Sequence, residues 1–149
     1  MIKVLALDIY GTVLASDDAD NELPPRMGIE WLFNECKNRK IRIVSASDSN
    51  IDNVKIDLGD SFKVAKLEHL VDQFEKYYHL DDWPKDFSEI IRDYSLSPEE
   101  LLVIGNEDKD VLWPMKNNCL WLKIPSYIGP RMYGDFDFSK DKSVLKLIS

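Results

Sequence analysis

The apolar run Val4-Leu5-Ala6-Leu7 leads the chain directly into Asp8-Ile9-Tyr10-Gly11-Thr12. Four consecutive apolar residues ending in a turn signal read as a buried strand, so the first carboxylate falls at a strand's carboxyl end. In an α/β sheet, that is where ligands bind. Gly11 permits a tight turn away from the strand, and the Thr12 hydroxyl can hydrogen-bond locally and fix it. The expected result is a carboxylate above the backbone N–H groups of Ile9, Gly11 and Thr12. Such groups cradle anions, and an Asp beside them can attack the anion to give a covalent aspartyl intermediate.

Three further segments follow in order. Residues 41–46 read as a second strand ending in the hydroxyls of Ser45 and Ser47, with Asp48 next. Lys85 lies in Trp83-Pro84-Lys85, before a helical stretch. Residues 101–104 form a third strand that ends in Gly105-Asn106-Glu107-Asp108-Lys109-Asp110. With a fourth strand at 119–124 and a weaker signal near Tyr77-Tyr78-His79-Leu80, strands alternate with helical stretches, the pattern of a parallel sheet with crossover helices. Pro24-Pro25 precedes a helix over about 26–38, on which Met27, Trp31, Leu32 and Cys36 recur at near-helical spacing. Ser97-Pro98-Glu99-Glu100 reads as a capped single turn. Beyond Pro125 a loop-rich arm, 126–149, ends in a short helix over 139–148.

A chain of 149 residues with 44% hydrophobic content is expected to form one domain, with a core over 1–125. Its net charge of −8 argues against general attraction to nucleic acid or anionic membranes, which needs clustered Lys and Arg. No apolar stretch approaches the length of a membrane span, and Met1-Ile2-Lys3-Val4 runs into a strand without a signal-peptide layout. A cytoplasmic protein is expected. Cys36 and Cys119 lack metal-type spacing and read as buried apolar residues. The four tryptophans read as core and interface residues.

Asp, Ser, Lys and then an acidic cluster, in this order over residues 2 to 125, resemble the haloacid dehalogenase-like hydrolase superfamily. The resemblance implies a doubly wound, Rossmann-like parallel sheet with helices on both faces and Asp8 as nucleophile. Residues 13–40 and 48–84 are too few for a cap domain, which needs on the order of 50 residues. The chain is therefore similar to the capless, magnesium-dependent phosphatase branch, in which a Pro-Pro pair also follows the first motif. An open site favours a large substrate, a partner that supplies the lid, or a homo-oligomer.

The resemblance assigns roles residue by residue. Ser47, with Ser45 as the alternative, would hydrogen-bond the transferred phosphoryl group. Lys85 would neutralise its charge and pair with Asp8, Lys63 and Lys66 being the fallback candidates. Asp8, Tyr10, Asn106 and Asp110 occupy the Mg²⁺ positions. Three departures stand out. Tyr10 replaces the general acid–base Asp of the phosphatases, and a phenol is a poor base at neutral pH. Asp17 or Asp18 is the candidate substitute. Asn106 replaces an acid of the G-D-x-x-x-D pattern, which implies weaker Mg²⁺ binding unless Glu107 or Asp108 compensates. Asp48 stands where relatives carry a basic or amide residue. The expected function is phosphate-ester hydrolysis on a phosphorylated small molecule or macromolecule. The alternatives are a non-catalytic binding protein and, because the dehalogenases also carry D-x-Y-G-T, a carbon–halogen hydrolase.

Overall fold

The computed structural model describes residues 1–16, 23–128 and 136–149. Five parallel strands build one sheet: β1 (Val4–Leu7), β2 (Arg42–Ser47), β3 (Phe74–His79), β4 (Leu101–Gly105) and β5 (Leu120–Lys123), in the order β3-β2-β1-β4-β5. β1 is central, pairing Leu7 with Ser45 of β2 on one side and with Ile104 of β4 on the other. The order in which strands are added reverses beside it, β2 and β3 lying on one side and β4 and β5 on the other, so the crevice beyond its carboxyl end is the topological switch point at which doubly wound folds bind ligands.

Burial on both faces explains why β1, β2 and β4 are runs of apolar or small residues rather than alternating ones. Leu5, Leu7, Ile43, Leu102 and Ile104 pack under α1 (Ile29–Asn38), α2 (Ile51–Val64) and α5 (Lys142–Ile148). Val4, Ala6, Val44, Ala46 and Val103 face the other layer, which includes α3 (Ser88–Asp93) and Trp113 of α4 (Asp108–Lys116). Phe33 of α1 joins the first layer to the sheet edge through Phe62 and Phe74, with ring centroids 6.1 and 5.3 Å away.

The strand signal near residues 77–80 is β3, which begins three residues earlier at Phe74. The first helix starts at Ile29 rather than near 26, because Arg26 and Gly28 are used in the turn before it. Gly28 has φ 81°, and a Cβ there would meet Asp137 at 2.3 Å. Ser97 caps the expected single turn, which is a 3-10 turn, and forms a capping box with Glu100. Both cysteines are buried and free. Trp31 and Trp113 pack on the two core layers, whereas Trp83 is 69% and Trp121 38% exposed. Among the described residues no helix is long and apolar enough to cross a membrane, and no separate cap interrupts the connections between strands.

The arm folds back on its own chain. Tyr127 N–H donates to the Gly11 carbonyl at 2.8 Å, Ser16 N–H to the Tyr127 carbonyl at 2.8 Å, and Phe138 N–H to the Met27 carbonyl at 3.0 Å. Gly129, Pro130, Gly134 and Asp135, which the sequence placed in this arm, lie outside the described residues. Removing the ring that links α1, α2 and β3 should leave a cavity that the sheet cannot close. Phe33→Ala is expected to lower stability by about 3–5 kcal/mol, measured by urea unfolding.

Candidate active site

Asp8 is the first residue beyond β1 and is tied to the neighbouring strand by its N–H, which donates to the Ile104 carbonyl at 3.0 Å. Its carboxylate is held on both sides. Lys85 Nζ donates to Oδ1 at 2.8 Å, and Thr12 Oγ1 lies 3.1 Å from Oδ2. The Lys85 ammonium is wholly buried and also meets Asp110 Oδ1 at 2.6 Å and the Ala46 carbonyl at 2.7 Å. Asp110 receives the Glu107 N–H on its second oxygen at 3.0 Å. Burial pushes the Asp8 carboxyl up from its ordinary 3.8 to about 6, against the pull of Lys85 and helped by repulsion from Asp110. For Lys85, burial opposes the charge, but Asp8 and Asp110 overrule it and raise the ammonium above its ordinary range.

The turn after Asp8 is closed by its own backbone. The Ile9 carbonyl accepts from the N–H groups of Thr12, Val13 and Leu14, and Gly11 N–H donates to the Leu14 carbonyl. The anion cradle expected of Gly11 and Thr12 is thus already occupied internally, leaving the amides of Ile9 and Tyr10 as those not drawn into the turn. Ile9 itself is a core side chain. Gly11 has φ 87°, and a Cβ there would lie 2.3 Å from Asn106 Nδ2. Glycine is required on both counts.

A cavity of about 630 Å³ opens over this carboxylate. Its floor is Asp8, Tyr10 and Asn106. One wall is the α2 face carrying Asn53, Ile56, Asp57 and Ser61, another the arm residues Ser126 and Ile128, and the far rim Asp48, Ser49, Glu107 and Lys109. The Tyr10 hydroxyl donates to Asp57 Oδ2. Burial and this neighbouring carboxylate both raise the phenol well above its ordinary range. Across the cavity, Lys109 Nζ bridges Asp48 Oδ2 at 2.6 Å and Glu107 Oε2 at 3.1 Å. Asp48 is disfavoured as a charge by burial, yet the Lys109 ammonium holds its carboxyl below the usual range.

No protein-family model and no curated protein matches the sequence. Solved structures do match. L-2-haloacid dehalogenase from Xanthobacter autotrophicus superposes with a TM-score of 0.61 at 13% identity, covering 83% of this chain and 78% of that one. A CbbY mutant from Rhodobacter sphaeroides in complex with xylulose-(1,5)bisphosphate gives 0.64 at 13% identity, covering 95% and 92%. The N-terminal part of BF1531 from Bacteroides fragilis, containing a phosphatase domain complexed with Mg, gives 0.62 at 14% identity, covering 100% of this chain and 40% of that one. The fold is that of the haloacid dehalogenase-like hydrolases.

Within that fold, the structure brings Asp8, Thr12, Lys85, Asn106 and Asp110 together, and it revises several expected roles. Ser47 is buried and its Oγ accepts the Ser49 N–H at 3.0 Å, while the buried Ser45 hydroxyl has no partner among the described residues. Neither lines the cavity, onto which Asp48 and Ser49 open instead. Asp110 is shut beneath Lys85 and the Tyr10 phenol is turned to Asp57, so neither side chain is presented as a metal ligand. Thr12 braces Asp8 and Asn106 rather than facing the cavity. Asp17 and Asp18 lie outside the described residues. Sequence reasoning passed over Asn53, Asp57, Lys109, Ser126 and Ile128. The one available signal was the polar stripe Asn53, Asp57, Ser61 at four-residue spacing on α2.

The donor set fits Mg²⁺ only in part. Among the described residues no three acidic, His or Cys side chains converge on one point. Thr12 Oγ1, however, lies 3.1 Å from both Asp8 Oδ2 and Asn106 Oδ1, and one hydroxyl proton serves only one of them. The acceptor left over is what a hard cation would satisfy, and Mg²⁺ sites commonly use one or two carboxylates completed by substrate oxygens and water.

The raised Asp8 carboxyl has a consequence for stability. Its affinity for a proton is higher folded than unfolded, so the contribution of Asp8 to stability falls as pH rises from about 4 to about 6 and then levels. Asn at this position does not titrate. In metal-free buffer the melting temperature of Asp8→Asn is expected to gain on wild type across that window, and a pH-independent difference would contradict this.

Proposed function

We propose that this chain is a phosphomonoester hydrolase in which Asp8 accepts the phosphoryl group and water then removes it. The observation that carries this reading is the Asp8 carboxylate itself: it is fixed at the switch point by Lys85 and Thr12 and faces a cavity large enough for a small ester. Two neighbours in fold support phosphoester chemistry, the CbbY mutant by its bound sugar bisphosphate and the BF1531 phosphatase domain by its Mg.

Attack on phosphorus needs an ionised, immobile carboxylate in line with the leaving oxygen. Lys85 supplies the first two properties by opposing the effect of burial and by fixing Oδ1, while Thr12 braces the other oxygen. The Ile9 and Tyr10 amides, not used in the turn, are the backbone donors left for phosphoryl oxygens. Asp8 and Asn106 would hold Mg²⁺ together with substrate oxygens, and the ion would neutralise repulsion between carboxylate and phosphoryl group. Tyr10 remains a protonated phenol and does not act as base. Without a positioned acid–base, alkyl esters are expected to turn over about 10²–10⁴-fold more slowly than in a site that has one.

Tyr10 also favours a second reading. A halide leaving group needs no proton, so a carbon–halogen hydrolase tolerates a phenol at this position. Phosphate release from a panel of phosphomonoesters, and halide release from short 2-haloacids, should be measured with and without Mg²⁺. The expected outcome is Mg²⁺-stimulated phosphate release, fastest with activated leaving groups, that Asp8→Asn lowers by several orders of magnitude. Halide release with no phosphate release would establish the second reading, and activity surviving Asp8→Asn would exclude both.

A further inference from the structure

We propose that Lys109, not Lys85, is the cation that binds the substrate's anionic group, an inference that rests on the phosphohydrolase reading. An ammonium has three protons and no acceptor. Lys85 donates to Asp8 Oδ1 and the Ala46 carbonyl at 2.8 and 2.7 Å and forms an ion pair with Asp110 Oδ1 at 2.6 Å that lacks hydrogen-bond alignment. It is fully buried and does not line the cavity. Turning toward a phosphoryl oxygen would take the ammonium away from a buried carboxylate. Its work is done beneath Asp8.

Lys109 differs in each respect. It is the one cation among the described residues that lines the cavity. It has two acceptors, Asp48 Oδ2 and Glu107 Oε2, and its third proton has no partner among the described residues. Its backbone is fixed where the ammonium is needed, since its carbonyl accepts the Lys85 N–H at 2.9 Å. The two carboxylates come from different elements, Asp48 from the end of β2 and Glu107 from the start of α4, and they suspend the ammonium between them. An anion entering this cavity meets Asp8, Asp48, Asp57 and Glu107, all acidic, and among the described residues only Lys109 offsets them. A charge-assisted hydrogen bond to Lys109 is then the attraction that an anionic substrate can gain from a side chain here.

Inorganic phosphate is the probe, titrated calorimetrically into wild type, Lys109→Met, Lys109→Arg and Asp48→Asn, beside steady-state kinetics on an activated phosphomonoester. Lys109→Met is expected to weaken phosphate binding about ten- to hundredfold and to raise KM by a larger factor than it lowers kcat. Lys109→Arg should recover most of the affinity. Asp48→Asn, which removes a competitor for the ammonium and a repelling charge, should bind phosphate more tightly than wild type. Exposed ion pairs contribute little to folding, so these variants should melt near wild type, which thermal unfolding checks. Wild-type affinity in Lys109→Met overturns the proposal, whether or not the enzyme is a phosphatase. Lys109-dependent phosphate binding without any Asp8-dependent hydrolysis would leave the anion site standing and overturn the functional reading. If wild type neither binds phosphate nor hydrolyses esters, both fall.

Discussion

The ammonium of Lys85 is the tie on which the carboxyl end of the sheet depends. A charge without water costs several kcal/mol unless every proton has an acceptor and every neighbouring charge a partner. Here the three oxygens around it, two hydrogen-bonded and one ion-paired, come from three elements: Asp8 after β1, Ala46 in β2 and Asp110 in α4. Placing them around one nitrogen fixes the spacing of β1 and β2 and the approach of α4. Gly105 is part of the same constraint, because a Cβ there would lie 2.4 Å from that of Asp110 and push the carboxylate off Lys85. Removing Lys85 would leave two buried carboxylates facing each other without a counter-charge. The pair is therefore weak evidence for net stability and strong evidence for geometry.

The walls of the site come from elsewhere. Without a cap, the cavity over Asp8 has to be built from the α2 face and from the arm that follows β5, and both are anchored to the first motif by hydrogen bonds. Tyr10 reaches α2 through Asp57. Tyr127 and Arg26 both donate to the Gly11 carbonyl, and Asn106 Nδ2 reaches Ser126 Oγ at 2.9 Å. The Arg26 guanidinium lies over the rings of Tyr127 and Phe136, 5.5 and 5.1 Å from their centroids, so the buried cation that supports the turn also holds the arm against it. Substituting Tyr for the acid of the phosphatase pattern thus does two things: it removes a proton-transfer group and supplies a long side chain that joins the turn to a wall.

How much of this was legible in the chain follows from where each signal lies. Asp8, Gly11 and Thr12 could be read because a strand end, a positive φ and a hydroxyl brace are local requirements, and Lys85 because of its Trp83-Pro84-Lys85 setting and its spacing to Gly105. β1, β2 and β4 were clear as unbroken apolar runs, whereas β3 mixes exposed Glu75 and Lys76 with buried Phe74 and Tyr78 at the sheet edge, and its start was missed. Asp57 belongs to the polar stripe of α2, and such a stripe ordinarily means solvent. Lys109 was passed over as the variable residue of an acidic motif, because its partner Asp48 comes from a distant part of the chain. The expected anion cradle failed for a different reason. Closing the turn through the Ile9 carbonyl consumes the N–H groups that the residue pattern seemed to offer, and no pattern of residue types encodes which carbonyl accepts.

The two carboxylates that hold Lys109 also limit how tightly it can hold anything else. Any anion that binds there shares the ammonium with Asp48 and Glu107 and is repelled by both, so its gain is smaller than a free lysine would give. For the hydrolase proposed above this moderation would be useful. Inorganic phosphate carries the same charged oxygens as the ester, and a cation that bound both strongly would lower KM without raising kcat and would retain the product. Lys85 acts in the opposite way. Its interactions with Asp8 are buried and fully satisfied, and they set the reactivity of the carboxylate rather than the affinity of the site. On the proposed reading, two lysines that sequence order would rank as catalytic and incidental are separated by burial into one that would prepare the nucleophile and one that would receive the substrate.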